Sequence, residues 1–323
     1  MPAELWIHFR RKRAAQRWRP FGLPIWKGGN RLLKLRPHSL RNAASILAFL
    51  GPSLAGFLLF YLVPFGAVVY YSFVDTPVRS RFVGFDNYRL LWESASFRKA
   101  FGNSLAFAGV SVPILFAVSL ALALLLSGAL PLRRTFRTVF LLPLVVPVAS
   151  IALVWQALFH WNGAINGALA EWGLRPTDWM NTRWSFTVMV AVYIWKNVGY
   201  NLVLFLAGLA NIPVDQREAA AIDGAGPWRR FWSITWPGLA PVSFFAVVMS
   251  IVGSFKVFRE TYLVAGAYPN DAIYTLQHFM NNSFQNLDYS KLTSAALQLA
   301  IVIGAAVYLL FRAERHVREG AEG

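Results

Sequence analysis

"NSLAFAGVSVPILFAVSLALALLLS", residues 103–127, runs for 25 positions without a charged side chain. A helix rises ~1.5 Å per residue and the hydrocarbon core of a bilayer is ~30 Å thick, so about 20 such residues suffice to cross it. The stretch reads as a membrane-spanning helix. Five more runs of the same kind lie around it, at about 46–73, 137–159, 187–210, 241–265 and 292–312. The expected fold class is an all-α membrane protein with six transmembrane helices. No loop between the runs is long enough for a further folded domain. The expected layout is a basic tail over 1–42, a transmembrane domain over 43–312 and a short C-terminal tail over 313–323.

Composition supports that class. Of 323 residues, 56% are hydrophobic and only 14% charged, too few charges to cover a soluble domain of this length. Cysteine is absent, which excludes disulfides, thiolate metal sites and cysteine nucleophiles. The five histidines (His8, His38, His160, His278 and His316) show no ligand spacing, so neither a metal nor another cofactor is expected. A net charge of +16 in a soluble chain would suggest nucleic acid. In so apolar a chain it reads as orientation in a bilayer, and no nucleic-acid partner is expected.

The basic residues set that orientation. Eleven arginines and lysines between Arg10 and Arg41 face a single acid, Glu4, and the positive-inside rule keeps them in the cytoplasm. The first run is too long for a signal-peptide core and reads as a retained anchor. Arg133, Arg134 and Arg137, then Arg312, Arg315 and Arg318, fall on the same side, so both termini are expected inside a bacterial plasma membrane. The 160–184 segment is expected outside, with Trp161, Trp172, Trp179 and Trp184 as an interfacial belt.

On the inner side lies "REAAAIDGAGPWRRFWSITWPGLAP", residues 217–241. Strong helix formers over 215–222, with acids near the start, predict one short helix. Gly224 permits a left-handed stop, and Pro227 suits the first turn of a second helix. Pro237 and Pro241 are expected to break the chain before it re-enters the membrane. By physics alone the segment is equally a surface turn with Trp228, Phe231 and Trp232 among the headgroups.

The residues themselves are more specific. Glu218, Ala219, Ala220, Asp223, Gly224, Ala225, Phe231, Ile234 and Pro237 match the EAA signature, and the chain resembles the permease subunits of bacterial binding-protein-dependent ABC importers. "IWKNVGYNLVLFLAGLANIP" (194–213), "FDNYRLLW", "FRKAFGNSLAF" and "GSFKVFRETYLV" are similar to the carbohydrate-uptake branch of that family, of the maltose and glycerol-phosphate type. The resemblance covers roughly 45–315. It departs from the family at "GAYPND" (266–271), where many relatives carry Gly-Gly-Pro. It implies a coupling loop between the fourth and fifth helices, with Glu218, Ala219, Ala220, Asp223 and Gly224 facing a cytoplasmic ATPase subunit. It also implies a second, homologous permease subunit, an extracytoplasmic solute-binding protein and a sugar, polyol or oligosaccharide substrate. No G-x-x-x-x-G-K-[ST] phosphate loop occurs in the chain, so it is expected to be a transport subunit and not an enzyme, with ATP hydrolysed by the partner.

Ionisable residues at membrane depth are candidates for function. Trp195, Lys196, Asn197 and Asn201 lie in the fourth run; Lys256 and Glu260 lie in the fifth, four apart and able to pair. These six are the candidate translocation path. The alternative is that they hold helices together, and Arg259 suits that reading better. "LQHFMNNSFQ" (276–285) reads as a re-entrant or interfacial helix. The competing functions are an ion-coupled secondary transporter and an ABC importer for a non-sugar solute. The first is disfavoured because Glu260 is the only acid in the runs and no repeat is visible. A membrane-embedded enzyme lacks any H-E-x-x-H, G-x-S-x-G or paired-carboxylate pattern.

Overall fold

The computed structural model describes residues 38–128 and 133–322. The basic tail expected over 1–42 falls mostly outside them. Two compact units are distinguished, 1–59 and 60–323. The described part of the first is a helix, α1 (His38–Phe57), with Pro52 inside it. Six helical stretches are long and apolar enough to cross a membrane: Ala48–Tyr71, Ala95–Ser127, Val148–Glu171, Trp184–Ala210, Pro227–Ala265 and Tyr289–Arg315. The described residues form no strand; Val74 and Phe82 make one isolated antiparallel bridge.

In the second unit, α2 (Val63–Tyr71) leads into a loop and then α3 (Asp86–Glu93). The loop is pinned from inside: the Asn87 amide, nearly buried, donates to the carbonyls of Ser72 (2.9 Å) and Val74 (2.8 Å). The next span, α4 (Ala95–Ser127), begins eight residues before the apolar run, because Ser94 caps it by accepting from the Phe97 amide.

The run at 137–159 is not one helix. It divides into α5 (Arg133–Val145) and α6 (Val148–Phe159), and α7 (Ala164–Glu171) follows. Pro147 is the cause: its ring pushes Val146 out of the helical region, so the helix stops before it and restarts after it.

The central element is α8 (Trp184–Ala210), which packs against α4, α5 and, further on, α11 (Trp236–Ser254). Leu202, Phe205 and Leu209 of α8 meet Leu120 and Leu126 of α4 and Leu239 of α11, all buried. Lipid tails are as apolar as these side chains, so what holds such helices together is close packing and interhelical hydrogen bonds. Gly199 provides the closest approach: a Cβ there would lie 2.0 Å from the Phe140 carbonyl oxygen on α5.

After α8 come α9 (Val214–Ile222) and α10 (Pro227–Arg230). Pro237 and Pro241 do not break the chain here. A π-helical turn over Phe231–Thr235 carries α10 directly into α11, with Pro237 in its first turn and Pro241 inside it. The wider π turn gives the ring of Pro237 slack against the carbonyl of Ser233, four residues before it, and Pro241 is carried inside the helix at the loss of one backbone hydrogen bond. The break in this span comes later. The chain leaves α11 at Ser254 and starts α12 at Phe258, with Lys256 N–H bonded to Gly253 O in a tighter turn.

The remaining helices are α13 (Leu276–Gln285) and α14 (Tyr289–Glu322). The former, expected to lie at an interface, packs on α4 and α14 around Phe97, Leu276 and Phe279. Lys99 and Asp271 form an ion pair at 2.7 Å beside it.

Candidate functional site

Two places collect the sequence candidates, at different levels along α8. At about 1.5 Å per residue, its 27 residues separate the loop before Trp184 from the loop after Ala210 by roughly 40 Å.

The first place is α9. The helix forms because Pro213, N-terminal to it, presets its start, and Asp215 sits in its first turn. It buries none of its residues. Glu218, Ala219 and Asp223 are exposed, Ala220 is half-buried, and Ile222 is 87% exposed. Gly224 stands at φ +77°, with the Ala225 amide bonded back to Ala220 O at 2.9 Å, which is a left-handed helix stop. Beyond it Trp228 is 74% exposed, edge-on to Trp232. A short helix, an αL glycine and a second helix thus leave an uncovered apolar and acidic surface.

The second place is a cavity of about 240 Å³ between α8 and α11, bordered by α4. Its polar lining is Tyr193, Asn197, Tyr200, Asn201 and Ser250, with Lys256 beside them. Asn201 is 2% exposed and donates to Ser250 Oγ at 2.9 Å, while the Tyr193 hydroxyl donates to the Ser250 carbonyl at 2.7 Å. These bonds tie α8 to α11 under the cavity. Asn197, also in the lining, spends its amide on the Tyr193 carbonyl of its own helix, at 2.8 Å. Tyr193 and Ser250 were not among the sequence candidates. A signal for Tyr193 exists: Tyr193, Asn197 and Asn201 recur at i, i+4 and i+8, one face of a helix.

The other candidates go elsewhere. Trp195 lies outside the cavity, 41% exposed and edge-on to Trp155 of α6. Glu260 does not pair with Lys256. It is 7% exposed and bonds Lys196 across to α8, its Oε2 buried without a partner. The Lys196 ammonium on α8 takes the carboxylate in place of the lysine four residues before it, and a tight turn at 255–257 lies between Lys256 and Glu260.

A larger pocket, about 460 Å³, lies at the other end of α8, between α6, the loop before Trp184 and the segment 264–270. Trp161 and Tyr268 stand exposed there, beside Asp178 and Asn181. The Asn181 side-chain amide, donating at 3.0 Å, holds the Asp178 carboxyl below its ordinary range.

Six candidate spans, an exposed αL-bent loop and a polar cavity between the fourth and fifth of them are features of a permease-type membrane subunit. Residues 114–320 match the family described as "Binding-protein-dependent transport system inner membrane component", and the chain belongs to it. Among its relatives is the sn-glycerol-3-phosphate transport system permease protein UgpA of Yersinia pestis bv. Antiqua (strain Antiqua). It is 34% identical over 275 residues, which cover 83% of this chain and 93% of the relative. The probable ABC transporter permease protein YurN of Bacillus subtilis (strain 168) is 33% identical, with 81% and 92% covered. The fold matches a solved bacterial ABC transporter involved in import of the acidic polysaccharide alginate, with TM-score 0.77 and 22% identity. That match covers 87% of this chain and 98% of the other. A second structure of that transporter, in complex with an alginate pentasaccharide-bound periplasmic protein, matches at TM-score 0.77 and 21% identity. The protein is a membrane-spanning permease subunit of the ABC-importer type.

Proposed function

We propose that the chain carries a sugar, or a related polyol or oligosaccharide, across a bacterial plasma membrane, together with a second homologous permease and two ATPase subunits. An extracytoplasmic binding protein delivers the substrate, and both termini are cytoplasmic. The observation that carries this reading is the uncovered α9–Gly224–α10 element: its residues match the EAA signature, yet Ile222 and Trp228 remain largely exposed. An ATPase cleft supplies that partner. Closure of the ATPase pair then moves α8 and α11, which the element joins, as rigid bodies between two states. The substrate passes the cavity lined by Asn197, Asn201 and Tyr200, where amides and hydroxyls meet sugar hydroxyls and rings pack on sugar faces. The relative UgpA supports the polyol part of that class, as a permease protein of an sn-glycerol-3-phosphate transport system. The Lys196–Glu260 bond acts as a strut between spans.

The test uses Glu218→Lys and Gly224→Val. The first reverses a charge on the proposed contact surface without changing helix propensity much. The second forces a β-branched residue to φ +77°, at about 1–2 kcal/mol, in a place where no other atom lies within 4 Å. Both variants are expected to insert normally, lose uptake, and co-purify less ATPase or leave its activity unresponsive to loaded binding protein. Normal uptake by both defeats the coupling role and favours a turn lying on the membrane surface.

A further inference from the structure

The charges at membrane depth do not balance. The apolar runs at 187–210 and 241–265 carry three cations, Lys196, Lys256 and Arg259, and one acid, Glu260. Glu260 is taken by Lys196. Among the described residues no carboxylate lies within ion-pair distance of Lys256 or Arg259. An unpaired ammonium at such depth is costly, and chains keep one where it faces water, a counter-ion or a ligand.

Lys256 has such a place. It is exposed and lines the 240 Å³ cavity beside Asn197, Tyr200 and Asn201, with no acid in the lining. Glu260, four residues on, is committed to its bond with Lys196. A neutral sugar would need only the amides and hydroxyls already present. The unpaired lysine calls for a negative group.

We propose that Lys256 is a specificity-determining residue, and that the substrate is an anionic carbohydrate or polyol whose carboxylate or phosphate oxygens meet its ammonium in the cavity. This rests on the cavity being the substrate path.

Cells lacking their own carriers for the probes, and carrying the whole transporter, are given a uronate disaccharide and a hexose 6-phosphate, each beside its neutral counterpart. At least one anionic probe is expected to enter at least tenfold faster than its neutral partner. Which of the two does so separates a carboxylate from a phosphate substrate. Lys256→Gln should bring that ratio close to one, and Lys256→Arg should keep most of it. A neutral probe preferred in the parent, no uptake of either anion, or a ratio unchanged in Lys256→Gln overturns the inference. So does loss of the permease pair from the membrane in Lys256→Gln with rescue by Lys256→Arg, which marks a carboxylate of the second subunit as the partner. Asn197→Leu tests the underlying reading separately. Unchanged uptake there removes the cavity from the path. Reduced uptake of a neutral sugar, with Lys256→Gln silent, defeats only the claim about charge.

Discussion

Lys196→Met is expected to be the most damaging single change within the spans, for electrostatic reasons. Glu260 sits 7% exposed in α12, and its only side-chain bond runs from Oε1 to Lys196 of α8. The other carboxylate oxygen is already buried without a partner. Removing the ammonium leaves both oxygens unpaired, and breaking a buried pair from one side costs about 3–5 kcal/mol. Glu260→Met is milder, because the Lys196 side chain is 20% exposed and can turn its head toward water, for roughly 1–2 kcal/mol. With both replaced, no stranded charge is left, and methionines of similar volume fill the space, so the double variant should lie within about 1 kcal/mol of the parent.

The cycle therefore predicts a coupling of about 3 kcal/mol or more, at the top of what neighbouring residues show. Unfolding of the purified permease by SDS in mixed micelles measures each corner. A cost below about 1 kcal/mol for Lys196→Met, or a coupling below about 0.5 kcal/mol, refutes the reasoning and means water reaches the pair. Uptake by the double variant adds a functional readout. Retained transport fits a strut; stable protein with lost transport places Lys196 and Glu260 on the path.

Two further outcomes follow from packing and burial. Gly199→Ala pushes a methyl group to 2.0 Å from Phe140 O, so α5 and α8 must part, at about 1–3 kcal/mol or more; Gly109→Ala, with no atom within 4 Å, is the silent control, both read as yield of folded protein. His278 is fully buried, takes the Thr275 amide on Nδ1 at 3.3 Å, and burial lowers its pKa from 6.5 to about 4. The unfolded chain binds the proton first as pH falls, so stability present above about 6.5 should decline down to about 4, by about 3 kcal/mol at most, and His278→Gln should flatten that slope in pH-dependent melts.

The spans were legible because bilayer thickness demands a length of apolar chain that few other structures need. Boundaries and breaks were less so. The Pro147 break lies inside a run whose residues on both sides are apolar, and hydropathy does not register a proline's effect on the residue before it. The reverse error occurred at Pro237 and Pro241, where proline chemistry predicts a break and a π-helical turn absorbs it. The α9 element and its bend at Gly224 were readable residue by residue, since local propensity and one φ > 0 position decide them. The Lys196–Glu260 bond was not, because its partners lie 64 residues apart and sequence spacing offers only the local pair of Lys256 and Glu260.

That misplaced pair and the charge left in the cavity have one origin. A pair within the fifth span, Lys256 with Glu260, would neutralise both and leave Lys196 alone in α8. The structure makes the other pair, across the spans. Glu260 then reaches α8 and fastens the fourth span to the fifth, while Lys256 is turned to the cavity with no acid to oppose it. The choice of Lys196 by Glu260 thus supplies both the tie between the spans and the positive charge in the cavity. Glu260→Met should therefore alter stability by removing that tie, whereas Lys256→Gln should alter selectivity alone.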